Sequence, residues 1–244
     1  MGSLEANTIV IIPTFNEAGN IGPLVKDIFS LGLNLSVLIV DDNSPDGTKR
    51  EAERLQGAHK NLYLINRNKR YGLGSAYIDG FNFALERGYG TVLVMDGDQS
   101  HPPSYIAEML PLLDECDLVI GSRYVQDGGI RNWSRGRVLL SRGANIFTRA
   151  MLEAPLHDMT SGFKCVRKKV LEDIDFSTIA SKGYAFHIEM VYRAFVKGYK
   201  IRECPIIFRG RENDLSKMSP GIAIEAFFRV VALSAGGKLK KIII

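Results

Sequence analysis

At Thr91-Val92-Leu93-Val94-Met95-Asp96-Gly97-Asp98, the chain passes from a short apolar run to two carboxylates one residue apart. The apolar run is typical of a buried β-strand that ends where the acids begin. Two carboxylates in this spacing at the carboxyl end of a strand can share one hard divalent cation and present it to a diphosphate. The same spacing also occurs in solvated turns, so the surrounding sequence must decide between a cation site and a turn.

Three other aliphatic runs resemble this strand in length and in their lack of alternation. They cover 9–12, 37–40 and 62–65, and amphipathic stretches near 20–31, 46–56 and 74–87 lie between the four runs. Such strands are typical of a sheet covered on both faces, and the strand–helix order predicts parallel strands with right-handed crossovers. With 244 residues, 45% of them hydrophobic, and no linker or repeat, the sequence predicts a single α/β domain with a mostly parallel central sheet flanked by helices.

Polar residues gather where three of these strands end. The three segments are Pro13-Thr14-Phe15-Asn16-Glu17, Asp41-Asp42-Asn43-Ser44-Pro45-Asp46-Gly47-Thr48 and Asp96-Gly97-Asp98. Because parallel strands end at the same edge of a sheet, we expect the carboxylates to meet at the edge where α/β proteins bind ligands. Residues 43–48 also suit a turn followed by a helix start, and both interpretations can hold because Asp42 precedes the turn.

Two common nucleotide-binding loops are absent from the sequence. Neither Gly-x-x-x-x-Gly-Lys nor Gly-x-Gly-x-x-Gly follows the first strand, which argues against a P-loop and against a dinucleotide-binding domain. Gly72-Leu73-Gly74 follows the third strand. These glycines suit close backbone approach to a ligand and, equally, a plain helix-start loop.

The net charge of +4 conceals two unlike halves. Residues 1–122 contain 9 Lys and Arg against 16 Asp and Glu, whereas residues 123–244 contain 22 against 11. This division suits a metal-binding part that faces an anion-binding part. The basic half lacks a nucleic-acid motif, so nucleic acid is not the expected partner. Three widely spaced cysteines and the lack of an apolar leader favour a reducing compartment.

The ordered motifs at 13–17, 40–48, 71–76 and 96–102 resemble those of the family 2 glycosyltransferases with the GT-A (Rossmann-like) fold, and among them the dolichol-phosphate mannose synthases. The resemblance continues through Gly121-Ser122-Arg123-Tyr124, Ser141-Arg142-Gly143-Ala144-Asn145, Asp158-Met159-Thr160-Ser161-Gly162-Phe163 and Ser216-Lys217, and covers about residues 8–220. It implies an inverting, metal-dependent transfer of mannose from GDP-mannose to dolichyl or another polyprenyl phosphate.

The same resemblance implies the residues of a GDP-mannose site. Pro13, Phe15 and Glu17 would line the guanosine side, and Val40 and Asp42 would lie beside the base and ribose. Those holding Mg²⁺ or Mn²⁺ and the diphosphate would be Asp96, Gly97 and Asp98. Some family members have Gln at the position of Ser100 as a further metal contact, and serine is a weaker ligand.

Cations complete the implied site. Arg123, Arg211 and Lys217 would meet the nucleotide or its phosphates, and Arg137 and Ser141 would contact the acceptor phosphate. The predicted catalytic residues are therefore Asp96, Asp98 and Arg123. A phosphate acceptor is already an anion and needs no general base, whereas a sugar hydroxyl usually does. The arginines around residue 137 also fit a solvated helix face.

Other functions remain open on the sequence. A UDP-glucose:polyprenyl-phosphate glucosyltransferase would share the fold, as would a polysaccharide synthase, although no Gln-x-x-Arg-Trp segment of a processive synthase occurs. A non-catalytic nucleotide-sugar binding module is a third hypothesis, against which the intact acidic pair speaks.

The last part of the chain is predicted to form an apolar helix with a basic tail. Pro220 starts an apolar helix over 221–235, Gly236-Gly237 would end it, and a basic tail follows. We therefore divide the chain into a catalytic domain at 8–218 and a segment at 219–244 that is packed in a core or laid against lipid. The expected location is peripheral, on the cytoplasmic face of the endoplasmic reticulum in a eukaryote or of the plasma membrane in a prokaryote, where a membrane-anchored subunit could recruit the chain.

Overall fold

A computed structural model describes residues 7–179, 183–210 and 220–242. Its nine strands within these ranges are β1 (Thr8–Thr14), β2 (Leu35–Asp41), β3 (Leu62–Asn66), β4 (Thr91–Val94), β5 (Leu118–Ser122), β6 (Gly129–Arg131), β7 (Lys164–Arg167), β8 (Ile201–Pro205) and β9 (Ile207–Arg209). Seven form one sheet in the order β3-β2-β1-β4-β7-β5-β8, and β6 pairs with β9 in a small second sheet. In the main sheet, β7 alone is antiparallel to its neighbours, β4 and β5. The predicted mostly parallel α/β sheet is confirmed.

Helices cover both faces of the main sheet. They are α1 (Ala18–Ser30), α2 (Thr48–Ala58), α3 (Leu73–Glu86), α4 (Ile106–Leu112), α5 (Arg135–Leu152), α6 (Lys168–Asp173), α7 (Gly183–Val196) and α8 (Pro220–Ile242), with short 3₁₀ turns at Pro103–Tyr105 and Phe176–Thr178. The three helices that the sequence predicted in the first half are α1, α2 and α3.

The central strands bury both of their faces. Along β1, Ile9 and Ile11 pack into one hydrophobic core with α3 and α7, whereas Val10 and Ile12 pack into a second core with α1 and α4. Burial on both sides explains the continuous apolar runs, because no position on these strands faces water. The result is a rigid sheet whose carboxyl ends carry the polar residues.

Helix α8 runs past its predicted end. The predicted stop at Gly236-Gly237 is wrong, since the helix continues to Ile242. Each glycine costs a helix about 1 kcal/mol relative to alanine, and that cost is tolerated where ordinary helix formers such as Lys238 and Leu239 follow. Among the described residues, no helix combines the length and apolar character needed to cross a bilayer.

Candidate active site

The acidic pair lies at the point where the strand order reverses. β1 has β2 on one side and β4 on the other, so the carboxyl ends of three parallel strands meet there. Asp96 follows the end of β4 after a single residue, and Asp41 ends β2. Ligands of open α/β sheets bind outside the carboxyl ends at such a switch point. The predicted convergence of carboxylates at one edge is therefore confirmed.

Asp96 is held from several sides. Its backbone N–H donates to Nδ1 of the buried His101 at 3.2 Å, and the hydroxyl of Tyr77 lies 3.5 Å from its Oδ1. Burial lowers the pKa of His101, although the charges of Asp96 and Asp98 oppose this shift. A neutral imidazole with Nδ1 as acceptor agrees with the hydrogen bond from Asp96. The side chain of Asp96 itself is 28% exposed and faces the edge of the sheet.

Asp98 is shaped by the turn that follows it. Its Oδ1 accepts the backbone N–H of Ser100 at 3.0 Å, and Gln99 between them has a φ of 62°. Ser100 is buried, and the hydrogen bond from its N–H orients the second carboxylate of the pair. Gln99 Nε2 lies 3.4 Å from Asn20 Oδ1, and Asn20 in turn donates to Glu17 Oε2 at 2.7 Å. The acidic loop is thereby tied to the first strand end.

The donor set fits a divalent cation that is shared with a substrate. Among the described residues, no group of three or more His, Cys, Asp or Glu side chains could hold a metal ion by itself. Asp96 and Asp98 instead offer two half-exposed carboxylates at one edge. Mg²⁺ is commonly bound through one or two carboxylates together with substrate phosphates and water, and Mn²⁺ accepts the same oxygen ligands.

Gly162 leaves room for the first carboxylate. A Cβ at this position would lie 2.9 Å from Oδ1 and 3.1 Å from Oδ2 of Asp96. Real Cβ atoms do not approach oxygen so closely, so any larger residue would push the carboxylate aside. The glycine of the Asp158–Phe163 segment therefore defines where Asp96 points.

We expect Gly162→Ala to weaken metal activation. The added methyl group displaces the Asp96 carboxylate, and disturbing a group that orients a metal ligand typically costs about 10–100-fold in metal affinity. The measurement is the concentration of Mg²⁺ or Mn²⁺ that gives half-maximal activity. Gly57→Ala is the matched control, because a Cβ there meets no atom within 4 Å. Unchanged metal activation in Gly162→Ala would contradict this role of Gly162.

The predicted nucleotide residues occupy unequal positions. Phe15 is half-buried, with the guanidinium of Arg70 3.9 Å from the centre of its ring. Glu17 is buried, and its backbone N–H donates to Thr48 Oγ1 at 2.9 Å. Pro13 and Val40 pair across β1 and β2. Val40 is fully buried in the core.

Asp42 holds a loop in place. Its Oδ1 accepts Arg67 at 2.7 Å and the N–H of Tyr71 at 2.9 Å, and its Oδ2 accepts the N–H of Gly72 at 2.7 Å. Gly72 has a φ of 96°, a backbone conformation that glycine alone adopts without strain. Asp42, which is predicted to lie beside the base, has a structural role as well, and no local pattern in the sequence indicates that role for Asp42 or for Arg67.

Arg123 is buried in an ion pair. Its Nε and Nη2 donate to the two oxygens of Asp158, both at 2.7 Å, and Asp158 also accepts the backbone N–H of Arg123 at 3.0 Å. Burial raises the pKa of Asp158, but the charge and hydrogen bonds of Arg123 outweigh this effect and leave the pKa below its ordinary value. The guanidinium also lies beside the rings of Tyr124, Trp133 and Phe208.

The two predicted acceptor residues lie one helical turn apart on α5. The guanidinium of Arg137 is 3.9 Å from the centre of the Trp133 ring, and the hydroxyl of Tyr124 donates to Ser141 Oγ at 2.6 Å. Tyr124 follows Arg123 directly, so the structure brings Arg123, Arg137 and Ser141 into one neighbourhood. Arg211 and Lys217 lie outside the described residues.

A hydrogen-bonded bridge connects α5 with the ion pair. Asn145 donates to Thr160 Oγ1 at 3.0 Å and accepts the N–H of Met159 at 3.0 Å. Thr160 Oγ1 donates to Asp158 Oδ1 and accepts from Arg123 Nη2. The segment at 158–162 therefore joins α5, Arg123 and Asp96, a role that no local pattern in its residues indicates.

A buried cation lies behind these residues. Lys164 on β7 is fully buried and donates to the carbonyl oxygen of Ser161. Burial lowers the pKa of Lys164 to about 7, and the charges of Asp158 and Asp96 oppose that shift. In the sequence, Lys164 is followed by the apolar pair Cys165-Val166, and this short pattern does not indicate a buried cation.

The sequence is similar to those of known glycosyltransferases. The family model described as Glycosyl transferase family 2 matches residues 9–175. The chain is 41% identical over 236 residues to a polyprenol monophosphomannose synthase from Mycolicibacterium smegmatis, a match that covers 96% of this chain and 89% of the relative. It is 39% identical over 222 residues to an undecaprenyl-phosphate mannosyltransferase from Micrococcus luteus, with 91% of each protein covered.

Solved structures share the fold. Glucosyl-3-phosphoglycerate synthase from Mycobacterium tuberculosis in complex with phosphoglyceric acid superposes with a TM-score of 0.68 at 20% identity, covering 94% of this chain and 83% of that one. The same enzyme with Mn²⁺, UDP and glucosyl-3-phosphoglycerate gives a TM-score of 0.66 at 20% identity, with 96% and 82% covered. At this identity the comparison confirms the fold class. Because the family model spans more than half of the sequence and both relatives align with more than nine-tenths of it, the chain belongs to glycosyl transferase family 2.

Proposed function

We propose that this protein transfers mannose from GDP-mannose to dolichyl or another polyprenyl phosphate, with inversion at the anomeric carbon and with Mg²⁺ or Mn²⁺ as cofactor. The observation that carries the proposal is the acidic pair Asp96 and Asp98 at the switch point of a family 2 glycosyltransferase whose relatives are polyprenyl-phosphate mannosyltransferases.

The proposed reaction is a single displacement. A non-bridging oxygen of the acceptor phosphate forms a bond to the anomeric carbon, while the bond from that carbon to the β-phosphate oxygen of GDP breaks. Charge develops as in other glycosyl transfers, positive on the sugar and negative on the leaving diphosphate. Because the acceptor is already an anion, no side chain has to remove a proton from it.

Each residue group has one task in this proposal. Asp96 and Asp98 would hold the cation, which as a Lewis acid neutralises the leaving diphosphate. Pro13, Phe15, Glu17, Val40 and Asp42 would surround the guanosine. Arg123, oriented by Asp158, would serve the nucleotide phosphates together with Arg211 and Lys217.

The acceptor side of the proposal uses α5. Arg137 and Ser141 lie one turn apart on this helix and beside the Trp133 and Tyr124 rings that flank Arg123. Charge-assisted hydrogen bonds to a phosphate contribute about 1.5–3 kcal/mol each. This arrangement supports an acceptor phosphate held between the basic helix and the metal edge.

The lipid acceptor places the protein at a membrane in this proposal. Residues 8–218 would form the catalytic unit, and residues 219–244 would contribute to peripheral association with the cytoplasmic face of that membrane. The presence of the apolar helix α8 in this segment supports the division.

The test is transfer of labelled sugar into an organic-extractable lipid. Purified protein is incubated with polyprenyl phosphate and either GDP-mannose or UDP-glucose, with Mg²⁺, with Mn²⁺, or with a chelator. We expect labelled lipid from GDP-mannose only, and only when a metal is present. Label from UDP-glucose alone would reassign the donor, metal-independent transfer would refute the cofactor, and the absence of any lipid product would refute the acceptor.

A further inference from the structure

Most of the exposed large apolar side chains of the described chain lie on two helices. Of nine such residues, seven lie on α5 and α8, and these are Leu139, Leu140, Ile146, Ile224, Phe227, Phe228 and Val231. Leu139 is 73% exposed and Phe228 65% exposed. Exposed apolar residues are normal when they are scattered, but a contiguous group marks an interaction surface.

Helix α5 divides into three faces. Asn145, Thr148 and Leu152 bury one face against the domain. Leu139 and Ile146, seven residues apart, lie on the exposed apolar face, and Gly143 lies between them on the same side. Because seven residues make almost two turns, the exposed Arg135, Arg142 and Arg149 form a straight stripe along one border of that apolar face.

Helix α8 extends the apolar face. Ile224, Phe227, Phe228 and Val231 follow the spacing of one helical side, whereas Val230 on another side is buried. Phe147 of α5 stacks on Phe227, with ring centres 4.9 Å apart and an angle of 17° between the rings. The two helices therefore lie side by side and present one surface, which we call the α5–α8 surface.

Charge and position together identify the occupant. A helix with an exposed apolar face and arginines along its border has the character of a segment that lies in the plane of a membrane interface, where the cations meet anionic headgroups. Arg137 and Ser141, the acceptor-phosphate residues of the proposed function, stand on the same helix. An anionic bilayer matches both the apolar face and the arginine stripe.

We propose that the α5–α8 surface docks onto an anionic lipid bilayer, with Leu139, Leu140, Ile146, Phe227 and Phe228 entering the interface and Arg135, Arg142 and Arg149 meeting lipid phosphates. The inference rests on the proposed function for its biological setting, because docking would bring α5 to the level where a polyprenyl phosphate presents its headgroup. It assigns lipid contact to α5, beyond the contribution of residues 219–244.

The experiment measures binding of the full chain to vesicles and transfer activity separately. Binding is measured by co-sedimentation with vesicles of phosphatidylcholine, with and without phosphatidylglycerol. We expect Leu139→Gln/Leu140→Gln to weaken binding to both vesicle types by at least about tenfold. The variant loses the favourable free energy of moving two leucine side chains from water into the bilayer. Arg135→Gln/Arg149→Gln should weaken binding to the anionic vesicles by about fivefold per arginine and leave binding to neutral vesicles unchanged.

Matched controls lie elsewhere on the surface. Val196→Gln removes a comparably exposed apolar side chain, 56% exposed, and Lys26→Gln/Arg50→Gln removes two exposed charges. Neither should change vesicle binding. Phe228→Gln tests the same surface from α8 and should weaken binding as the leucine variant does. Equal binding of Leu139→Gln/Leu140→Gln, Phe228→Gln and unmodified protein would overturn the proposal.

Transfer activity separates this proposal from the proposed function. With a short-chain, water-soluble polyprenyl phosphate, the leucine variant should retain the activity of the unmodified protein, and with long-chain acceptor in vesicles it should lose activity in proportion to binding. If the unmodified protein binds vesicles but has no activity on either acceptor, the proposed function is refuted and the lipid-docking role of the α5–α8 surface stands. The unmodified protein could also form a dimer that dissociates in Leu139→Gln/Leu140→Gln while vesicle binding persists. That result would overturn lipid docking and assign the α5–α8 surface to contact with a second copy of the chain.

Discussion

Asp98→Ala is expected to lower kcat/KM by at least about 10³-fold, with little change in stability. A metal contributes several kcal/mol of transition-state stabilisation, and about 1.4 kcal/mol corresponds to a factor of ten in rate. The fold should survive because Asp98 is half-exposed and lies in a turn after β4 rather than in the core. Initial rates across a titration of Mg²⁺ or Mn²⁺, together with a thermal melt, measure both effects.

Ser100→Ala is the matched control for this prediction. Ser100 supplies its backbone N–H to Asp98, and the substitution keeps that N–H while it removes the hydroxyl. Activity close to that of the unmodified protein is therefore expected if the serine hydroxyl does not bind the metal. Normal turnover in Asp98→Ala would refute the metal assignment, and a large loss in Ser100→Ala would restore a direct role for the hydroxyl.

Asp158→Ala is expected to reduce the free energy of unfolding by about 3–5 kcal/mol, because it leaves the Arg123 guanidinium buried without its main counter-charge. For a domain of this size each kcal/mol shifts Tm by about 2–4 °C, so the melting temperature should fall by about 6–20 °C. Activity should fall as well, since Arg123 loses its orientation. Thermal and denaturant unfolding measure the first effect, and steady-state rates measure the second.

Two further results would identify the ion pair as the cause. Arg123→Met/Asp158→Leu removes both charges and should regain most of the stability but not the activity. Because the pKa of Asp158 is lowered on folding, its contribution is fully present above the unfolded pKa and is lost as the pH falls through the folded value. Acid should therefore destabilise the unmodified protein more steeply than the double variant. Equal stability of Asp158→Ala and unmodified protein would contradict this account.

The features that the sequence predicts correctly are those that depend on short, contiguous segments. The aliphatic runs at 9–12 and 37–40 indicate buried parallel strands, and carboxylates directly after a run must lie at the edge of the sheet. Strand order then places Asp96 beside the end of β1. The fold class and the position of the acidic pair at the edge of the sheet therefore followed from short segments.

The rest depends on contacts between distant segments. Nothing local in Asp158 or Gly162 indicates that one binds Arg123 and the other makes room for Asp96, because both relations arise only when β7 enters the sheet. The second role of Asp42 likewise requires a loop 25–30 residues away. The helix end at Gly236-Gly237 was misjudged for another reason, since a glycine pair lowers helix stability without dictating a stop.

The position of β7 has a consequence for how the molecule is made. β7 lies between β4 and β5, although both of those strands precede it in the chain by more than 40 residues. During synthesis, the first half can form its parallel strands while one edge of β4 stays unpaired until β7 has been synthesised. Such long-range closure is slow and leaves a strand edge exposed to wrong pairing. The two parts of the sheet are therefore joined late, and the same insertion brings Gly162 against the Asp96 carboxylate, so the acidic edge takes its final form only when the sheet is joined.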